Sequence, residues 1–254
     1  MLCFCFSSKD RLVIVESLLF HLDEYFIPIW YDRREMLMSD PRDYKNFVEG
    51  VNNSNYAVIF LSPNSIMSKC ANEEIELIRK KHENGNMTVF PILYDIAAES
   101  LPLKYKWLTK LVYKELCRGS DTIRACNHIV CKILLDELNK YPILSLQAYI
   151  DQYEHVPMHL FTIRLIKSYK KMYKGNYNAR MAILYSIYMY ITSYYDISGL
   201  PQFYYRGIEY LFDQTKLALP IEQRELLIME RLVLLILNGS MYGTTIQYRN
   251  NYIC

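Results

Sequence analysis

Alternating strand and helix signals over the first 140 residues, then a stretch where strand signals vanish, predict an α/β doubly wound, mostly parallel five-stranded sheet joined to an all-helical domain. Three observations carry this. Tyr56-Ala-Val-Ile-Phe-Leu-Ser62 is a continuous apolar run of the kind buried on both faces of a parallel sheet, so helices must cover both sides. Shorter runs of the same character recur before and after it, each followed by a polar turn and an amphipathic segment. Beyond Lys140-Tyr-Pro-Ile-Leu-Ser145 they stop, and 16 of the 24 tyrosines lie from Leu144 onward. The boundary is placed there, giving domains 1–141 and 142–254.

Leu2 to Phe6 is the first strand, and Ser7-Ser8-Lys9-Asp10 caps and opens a helix whose Leu12, Val15, Leu19 and Leu22 share a face. Phe26-Ile-Pro-Ile-Trp-Tyr-Asp32 is the second strand, with Pro28 suited to a strand start or edge. A polar loop, Arg33 to Arg42, leads to a short helix carrying Phe47 and Val51 on one side. The central strand 56–62 is followed by a helix ending in Arg79-Lys-Lys-His82, cations that suit the negative end of the macrodipole. Met87 to Asp95 is the fourth strand, Trp107 to Tyr113 is read as a short fifth, and Asp121 caps a helix bearing Ile129, Ile133 and Leu134. In the second half, Pro157 opens a helix that Gly175 closes, with Leu160, Ile163, Ile166, Tyr169 and Tyr173 as its stripe. Helices over 178–195, 201–217 and 220–237 complete a bundle of four or five.

Bulk properties narrow the function classes. A net charge of +2 on 254 residues gives no global argument for nucleic acid, and 52% hydrophobic residues are ample for buried cores. Lys167, Lys170, Lys171 and Lys174 share one helix face, read either as a phosphate contact or as a solvated face. The start lacks the basic segment and cleavage site of a secretory leader, and the longest uncharged stretch of note, Met181 to Tyr195, is short of the ~20 residues of a membrane span. Seven cysteines, five of them in apolar segments, argue against a disulfide framework and for a reducing cytoplasm. Cys126-x-His128-x-x-Cys131 lacks a second ligand pair at zinc spacing, so no metal is expected.

The chemistry-bearing stretch is Ser68-Lys-Cys-Ala-Asn-Glu-Glu-Ile-Glu-Leu77. On a helix, Glu74 borders the apolar face, with Cys70 and Ala71 one turn back and Leu77 and Ile78 one turn ahead. Glu73 has Lys69 four residues back, a solvated pairing. Glu74 is therefore the carboxylate expected to be desolvated, as functional carboxylates often are. Asn72 as a helix cap, with both glutamates favoured in a first turn by the macrodipole, is the competing structural reading.

Four elements in order resemble the Toll/interleukin-1 receptor (TIR) domain family. They are Leu2-Cys-Phe-Cys-Phe-Ser-Ser-Lys-Asp10; Trp30-Tyr-Asp32 with Leu37-Met-Ser-Asp40; Val58 to Ser65 followed by Ser68-Lys-Cys-x-x-x-Glu74-Ile75; and Val89-Phe-Pro-Ile-Leu-Tyr94. The resemblance covers about residues 1 to 140 and implies either an enzyme that cleaves the nicotinamide–ribose bond of NAD+ or a non-catalytic adaptor that only assembles. For the enzyme it implies Glu74 as the catalytic residue, counted from the family's tryptophan position, here Cys70. It implies Phe6, Ser7, Ser8 and Trp30 around the nicotinamide, and Asp32 and Asp40 near the ribose and the loop. NAD+ is then substrate, and no cofactor is implied. Two departures stand out: Cys70 replaces an aromatic, and Met38-Ser39-Asp40 lacks the usual glycine. The expected product is ADP-ribose or a cyclic ADP-ribose isomer, in a bacterial defence effector or signal producer that self-associates through the TIR domain. The helical half is expected to bind an activator or partner protein, with neither membrane nor nucleic acid involved. A nucleotide-binding module without nicotinamide release is the third possibility.

Overall fold

In the computed structural model, residues 1–25, 27–194, 202–216 and 221–241 are described. They form two compact units, Met1–Ile129 and Val130–Cys254, the division falling inside one long helix.

The first unit holds five parallel strands, β1 Leu2–Cys5, β2 Ile29–Trp30, β3 Tyr56–Leu61, β4 Thr88–Tyr94 and β5 Lys114–Leu116, in the order β2-β1-β3-β4-β5. The chain steps outward from β1 to β2 and then returns past β1 to β3. This leaves a topological switch point between β1 and β3, and ligands of such folds sit there, beyond the carboxyl ends of the strands. All six residues of β3 are buried, as a central strand between two helical layers requires. Alternation sends Cys3, Cys5, Ala57, Ile59, Leu61 and Leu93 to one face, where Ala71, Ile75 and Ile78 of α4 (Lys69–Glu83) cover them.

The helix after β1 begins as a 3-10 turn, Ser8–Asp10, continues as a π-helix, Arg11–Val15, and becomes regular in α1, Glu16–Asp23. The π stretch bonds i to i+5 and shifts the apolar phase, so Ile14, Val15, Leu18, Leu19 and Leu22 are buried while Leu12 turns out to 77% exposure. Leu12 therefore leaves the face that a uniform helical period assigns it. The second strand is shorter than its apolar run: Asp32 already opens α2, Asp32–Glu35, within the expected loop, and Phe26 lies outside the described residues. The segment with Phe47 and Val51 is a nine-residue π-helix, Tyr44–Asn52. Lys81 Nζ donates to the carbonyls of Val51, Asn52 and Ser54 at 2.9, 2.7 and 2.8 Å, so this cation closes the π-helix rather than its own helix.

The fifth strand is not at Trp107–Tyr113. Leu103–Lys110 is a 3-10 helix that sends Tyr105 and Leu108 into the core, a spacing of three that suits its three residues per turn. The strand follows as Lys-Glu-Leu, short and charged, which protects a sheet edge from further pairing. Asp121 Oδ1 accepts from Ile123 N at 2.8 Å at the start of α5, Ile123–Leu138, but the N-cap is Thr122, whose carbonyl accepts the first helical bond from Cys126 N at 2.9 Å.

The described residues of the second unit are helical: α6 Leu146–Tyr153, a 3-10 turn Pro157–His159, α7 Leu160–Lys171, α8 Tyr177–Tyr194, α9 Gln202–Lys216 and α10 Gln223–Met241. Ile163, Ile166 and Tyr169 of α7 are buried, but Leu160 is half-exposed and Tyr173 is exposed. Tyr173 leaves the stripe because the chain turns extended at Met172, before Gly175. Tyr195, Pro201, Leu217 and Pro220, limits expected for these helices, lie outside the described residues. Tyr169 buries its ring and keeps a polar handle: it donates its hydroxyl to Glu230 at 2.7 Å, and the Arg180 guanidinium lies 4.2 Å over its ring. Lys167 pairs with Glu154 at 3.1 Å, Lys170 meets Gln147, and all four lysines of that face are exposed.

Candidate active site

The α4 helix is capped by Ser68, whose hydroxyl accepts from Ala71 N at 3.3 Å. Asn72 is not the cap. Its amide donates to the carbonyls of Ile66 and Ser68, and its oxygen receives Lys104 and Tyr105. With Lys69 as the first helical residue, both glutamates stand in the second turn, beyond the reach where the macrodipole favours an acid. The macrodipole thus gives no account of Glu74. Glu73 is exposed and pairs loosely with Lys69 at 3.8 Å, as its spacing predicts.

Glu74 is part-buried and has no ion-pair partner within 4 Å among the described residues. Cys70 Sγ donates to its Oε1 at 3.3 Å, and Asn46 Nδ2, from the π-helix Tyr44–Asn52, donates to the same oxygen at 3.1 Å. Burial pushes the Glu74 carboxyl from 4.5 up to about 7; the neighbouring Cys70 and Cys5 thiols and the charge of Arg42 oppose this, and the Asp32 charge adds to it. Burial and the Glu74 charge in turn push the Cys70 thiol up to about 11, so it stays protonated beside the carboxylate, and Cys5 is raised as well. The positive charge of Arg42 works against the upward shift of both groups. A carboxyl poised near neutrality, beside two thiols and an amide, can hold or release a proton and can stabilise a developing cation.

The other predicted residues surround the ends of β1 and β2. Ser7 is buried and its hydroxyl accepts from Lys9 N at 3.4 Å, a cap for the 3-10 turn, while Ser8 is exposed. Phe6 stacks on Tyr31 at 5.9 Å, with the Arg11 guanidinium over both rings, and Arg11 pairs with Asp32 at 2.6 Å. Asp40 accepts from Leu37 N at 2.8 Å and closes the loop 37–40, in which Ser39 takes a φ of +80° where glycine is the easier residue. Trp30 is 7% exposed and packs flat on Gly50: a Cβ there would meet its ring carbons at 2.9 to 3.0 Å. Glu74 and Cys70 are directly joined; Phe6 and Asp32 are linked through Arg11; Asp40 and Trp30 act in the loop and the core. A cavity of about 40 Å³ lined by Phe90, Ile92, Tyr113 and His128 lies beside β4 and β5, apart from all of these and too small for a nucleotide.

Two residues of the site escape sequence reasoning, Asn46 and Arg42. Asn46 is 7% exposed, and the signal for it was a polar residue four before a glycine on one helix, which periodicity alone files as surface. At the switch point itself, Asp10 is 1% exposed and accepts from Ser62 Oγ at 2.5 Å and Asn64 Nδ2 at 2.7 Å, tying the β1 turn to the β3 turn.

Comparison with known proteins gives three findings. The family profile described as TIR domain matches residues 2–130. The 2′ cyclic ADP-D-ribose synthase BtTIR of Bacteroides thetaiotaomicron is 25% identical over 95 residues, 37% of this chain and 33% of that protein, so the match spans about a third of that relative's length. The crystal structure of the TIR domain of the Toll-related receptor TRR-2 from Hydra magnipapillata is 17% identical, with a TM-score of 0.37, covering 55% of this chain and 94% of that one. The family match runs from β1 into α5 and takes in just over half of the sequence: the chain belongs to the TIR domain family.

Proposed function

We propose that this chain cleaves the nicotinamide–ribose bond of NAD+, with Glu74 as the reacting carboxylate, releasing nicotinamide and either ADP-ribose or a cyclic ADP-ribose isomer. The observation that carries the proposal is the state of Glu74: part-buried, without an ion-pair partner among the described residues, its pKa raised to about 7, and standing where the family's catalytic glutamate falls. The named activity of the Bacteroides relative is in keeping with it.

In the reaction the C1′–N1 bond breaks heterolytically and its electron pair goes to the pyridinium nitrogen, leaving neutral nicotinamide and an oxocarbenium-like ribose. The leaving group needs no proton, so a single carboxylate suffices. Glu74, ionised, stabilises the cationic carbon and takes the proton of the attacking O–H. If the attacker is water, the product is ADP-ribose; if it is a hydroxyl of the same molecule, no water is added and the product is a cyclic ADP-ribose isomer. Low dielectric around the carboxylate strengthens its attraction for the developing cation and is the physical use of its burial. Phe6, Ser7, Ser8 and Asp32 at the strand ends, with Trp30 behind them, form the proposed substrate side.

The helical unit is proposed to control assembly or receive an activator. A cytoplasmic setting accords with the free thiols of Cys3, Cys5, Cys70, Cys117, Cys126 and Cys131. Among the described residues no helix is long and apolar enough to cross a membrane.

The test is incubation of the purified chain with NAD+ over a range of protein concentrations, with products resolved by chromatography and mass spectrometry. Nicotinamide must appear together with ADP-ribose or with a cyclic ADP-ribose isomer, which lacks one water and is 18 mass units lighter. The rate should rise faster than the first power of protein concentration if assembly completes the site. NAD+ left intact at every concentration sinks the proposal.

A further inference from the structure

Asn46 meets the Glu74 carboxylate directly. Its Nδ2 donates to Glu74 Oε1 at 3.1 Å and approaches Cys70 Sγ at 3.7 Å, while its Oδ1 is buried with no partner among the described residues. The side chain is 7% exposed, so water does not fill that vacancy freely. A carboxamide is ambidentate: its nitrogen donates to a carboxylate and its oxygen accepts from a carboxylic acid, and a half-turn exchanges them. Asn46 can therefore stay hydrogen-bonded to Glu74 whether or not Glu74 carries a proton.

The surroundings leave this task to the amide. The titratable and charged groups facing Glu74 are Cys3 and Cys5 from β1, Cys70 from its own helix, Asp32 from α2, and Arg42 from the segment before the π-helix. The thiols are weak donors, Asp32 repels the ionised form, and Arg42 favours it by its charge but makes no hydrogen bond to Glu74 among the described residues. The backbone under Asn46 is fixed from the other side: Gly50, one turn on, lies against Trp30, its carbonyl accepts from Ser54 Oγ at 2.7 Å, and Lys81 holds the carbonyls of Val51 and Asn52. A donor on so constrained a support holds its acceptor in one place.

We propose that Asn46 is the positioning residue of the reaction, holding the ionised Glu74 carboxylate toward the substrate and following it into the protonated state by turning its amide. This rests on Glu74 being the reacting group, and it concerns what sets that group's geometry and ionisation.

The experiment uses the full chain with Asn46→Leu and Asn46→Asp, the second being nearly isosteric so that packing is kept. Two readouts are taken: the Glu74 carboxyl titration by ¹³C NMR, assigned by comparison with Glu74→Gln, and nicotinamide release from NAD+ against pH. Asn46→Leu should raise the Glu74 midpoint by about one pH unit, lowering the rate at pH 7 by up to about tenfold and restoring it near pH 9. Asn46→Asp, which adds a like charge, should raise it further. A midpoint unmoved in both variants overturns the proposal, including when the variants are merely less stable. If the wild type releases no nicotinamide, the functional reading fails while the NMR midpoints still decide the role of Asn46.

Discussion

Two carboxylates near the strand ends of the first unit, Asp10 and Glu74, show how environment separates a fully hydrogen-bonded acid from an incompletely hydrogen-bonded one. Asp10 is almost fully buried, and its two oxygens receive a hydroxyl at 2.5 Å and an amide at 2.7 Å, from Ser62 and Asn64. Glu74 is less buried, but its described hydrogen bonds fall on one oxygen and come from a thiol and an amide. The first has both oxygens hydrogen-bonded and welds two loops at the switch point. The second is desolvated without full compensation, and its pKa rises to about 7 as a result. Depth of burial is thus a poorer guide to chemistry than the balance between desolvation and hydrogen bonding.

The contrast can be broken in order of effect. Glu74→Gln should lower nicotinamide release by about a hundredfold to a thousandfold, the scale of removing one group that stabilises transition-state charge, as measured by initial rates. Asp10→Ala should instead act on stability, costing about 2–4 kcal/mol in a denaturant titration because Ser62 and Asn64 lose a shared buried acceptor. An Asp10→Ala protein as stable as the parent would remove the distinction.

The next effect concerns pH. The Glu74 carboxyl is raised in the folded state, so the native protein holds that proton between about pH 4.5 and 7 while the unfolded chain does not. The associated stability is fully present below pH 4.5 and is lost as pH rises through 7. Glu74→Gln should therefore be more stable than the parent by about 1–3 kcal/mol at pH 8, after allowance for partial solvent screening, and nearly equal to it at pH 4. Thermal melts of the pair at the two pH values check this. Ser39→Gly should add about 1 kcal/mol by relieving the positive φ in the loop 37–40, read from the denaturation midpoint. Smallest of all, Glu73→Ala should stay within about 0.5 kcal/mol of the parent, because its only described pairing is exposed and 3.8 Å long.

The parallel sheet and the helical second half were legible because β3 is apolar throughout and because strand signals stop near Lys140. Glu74 was distinguishable from Glu73 by helical phase alone, and its Cys70 neighbour by the spacing of four. What was not legible depends on departures from regular period. The π stretch turned Leu12 outward, the 3-10 helix at 103–110 imitated a strand, and the cap moved from Asn72 to Ser68. Asn46 and Arg42 come from a segment some thirty residues before Glu74, and only the fold brings them to it. Trp30 could be placed in the core or in the pocket from sequence; its contact with Gly50 puts the ring in the core.

The central claim is that one of two adjacent glutamates reacts and the other is solvated. The most direct measurement is the rate of nicotinamide release at pH 8, per folded protein, for Glu74→Gln and Glu73→Gln side by side. The account predicts that Glu73→Gln stays within about twofold of the parent while Glu74→Gln falls to about a hundredth or less. Equal losses in the two variants, or full turnover in Glu74→Gln, would contradict it.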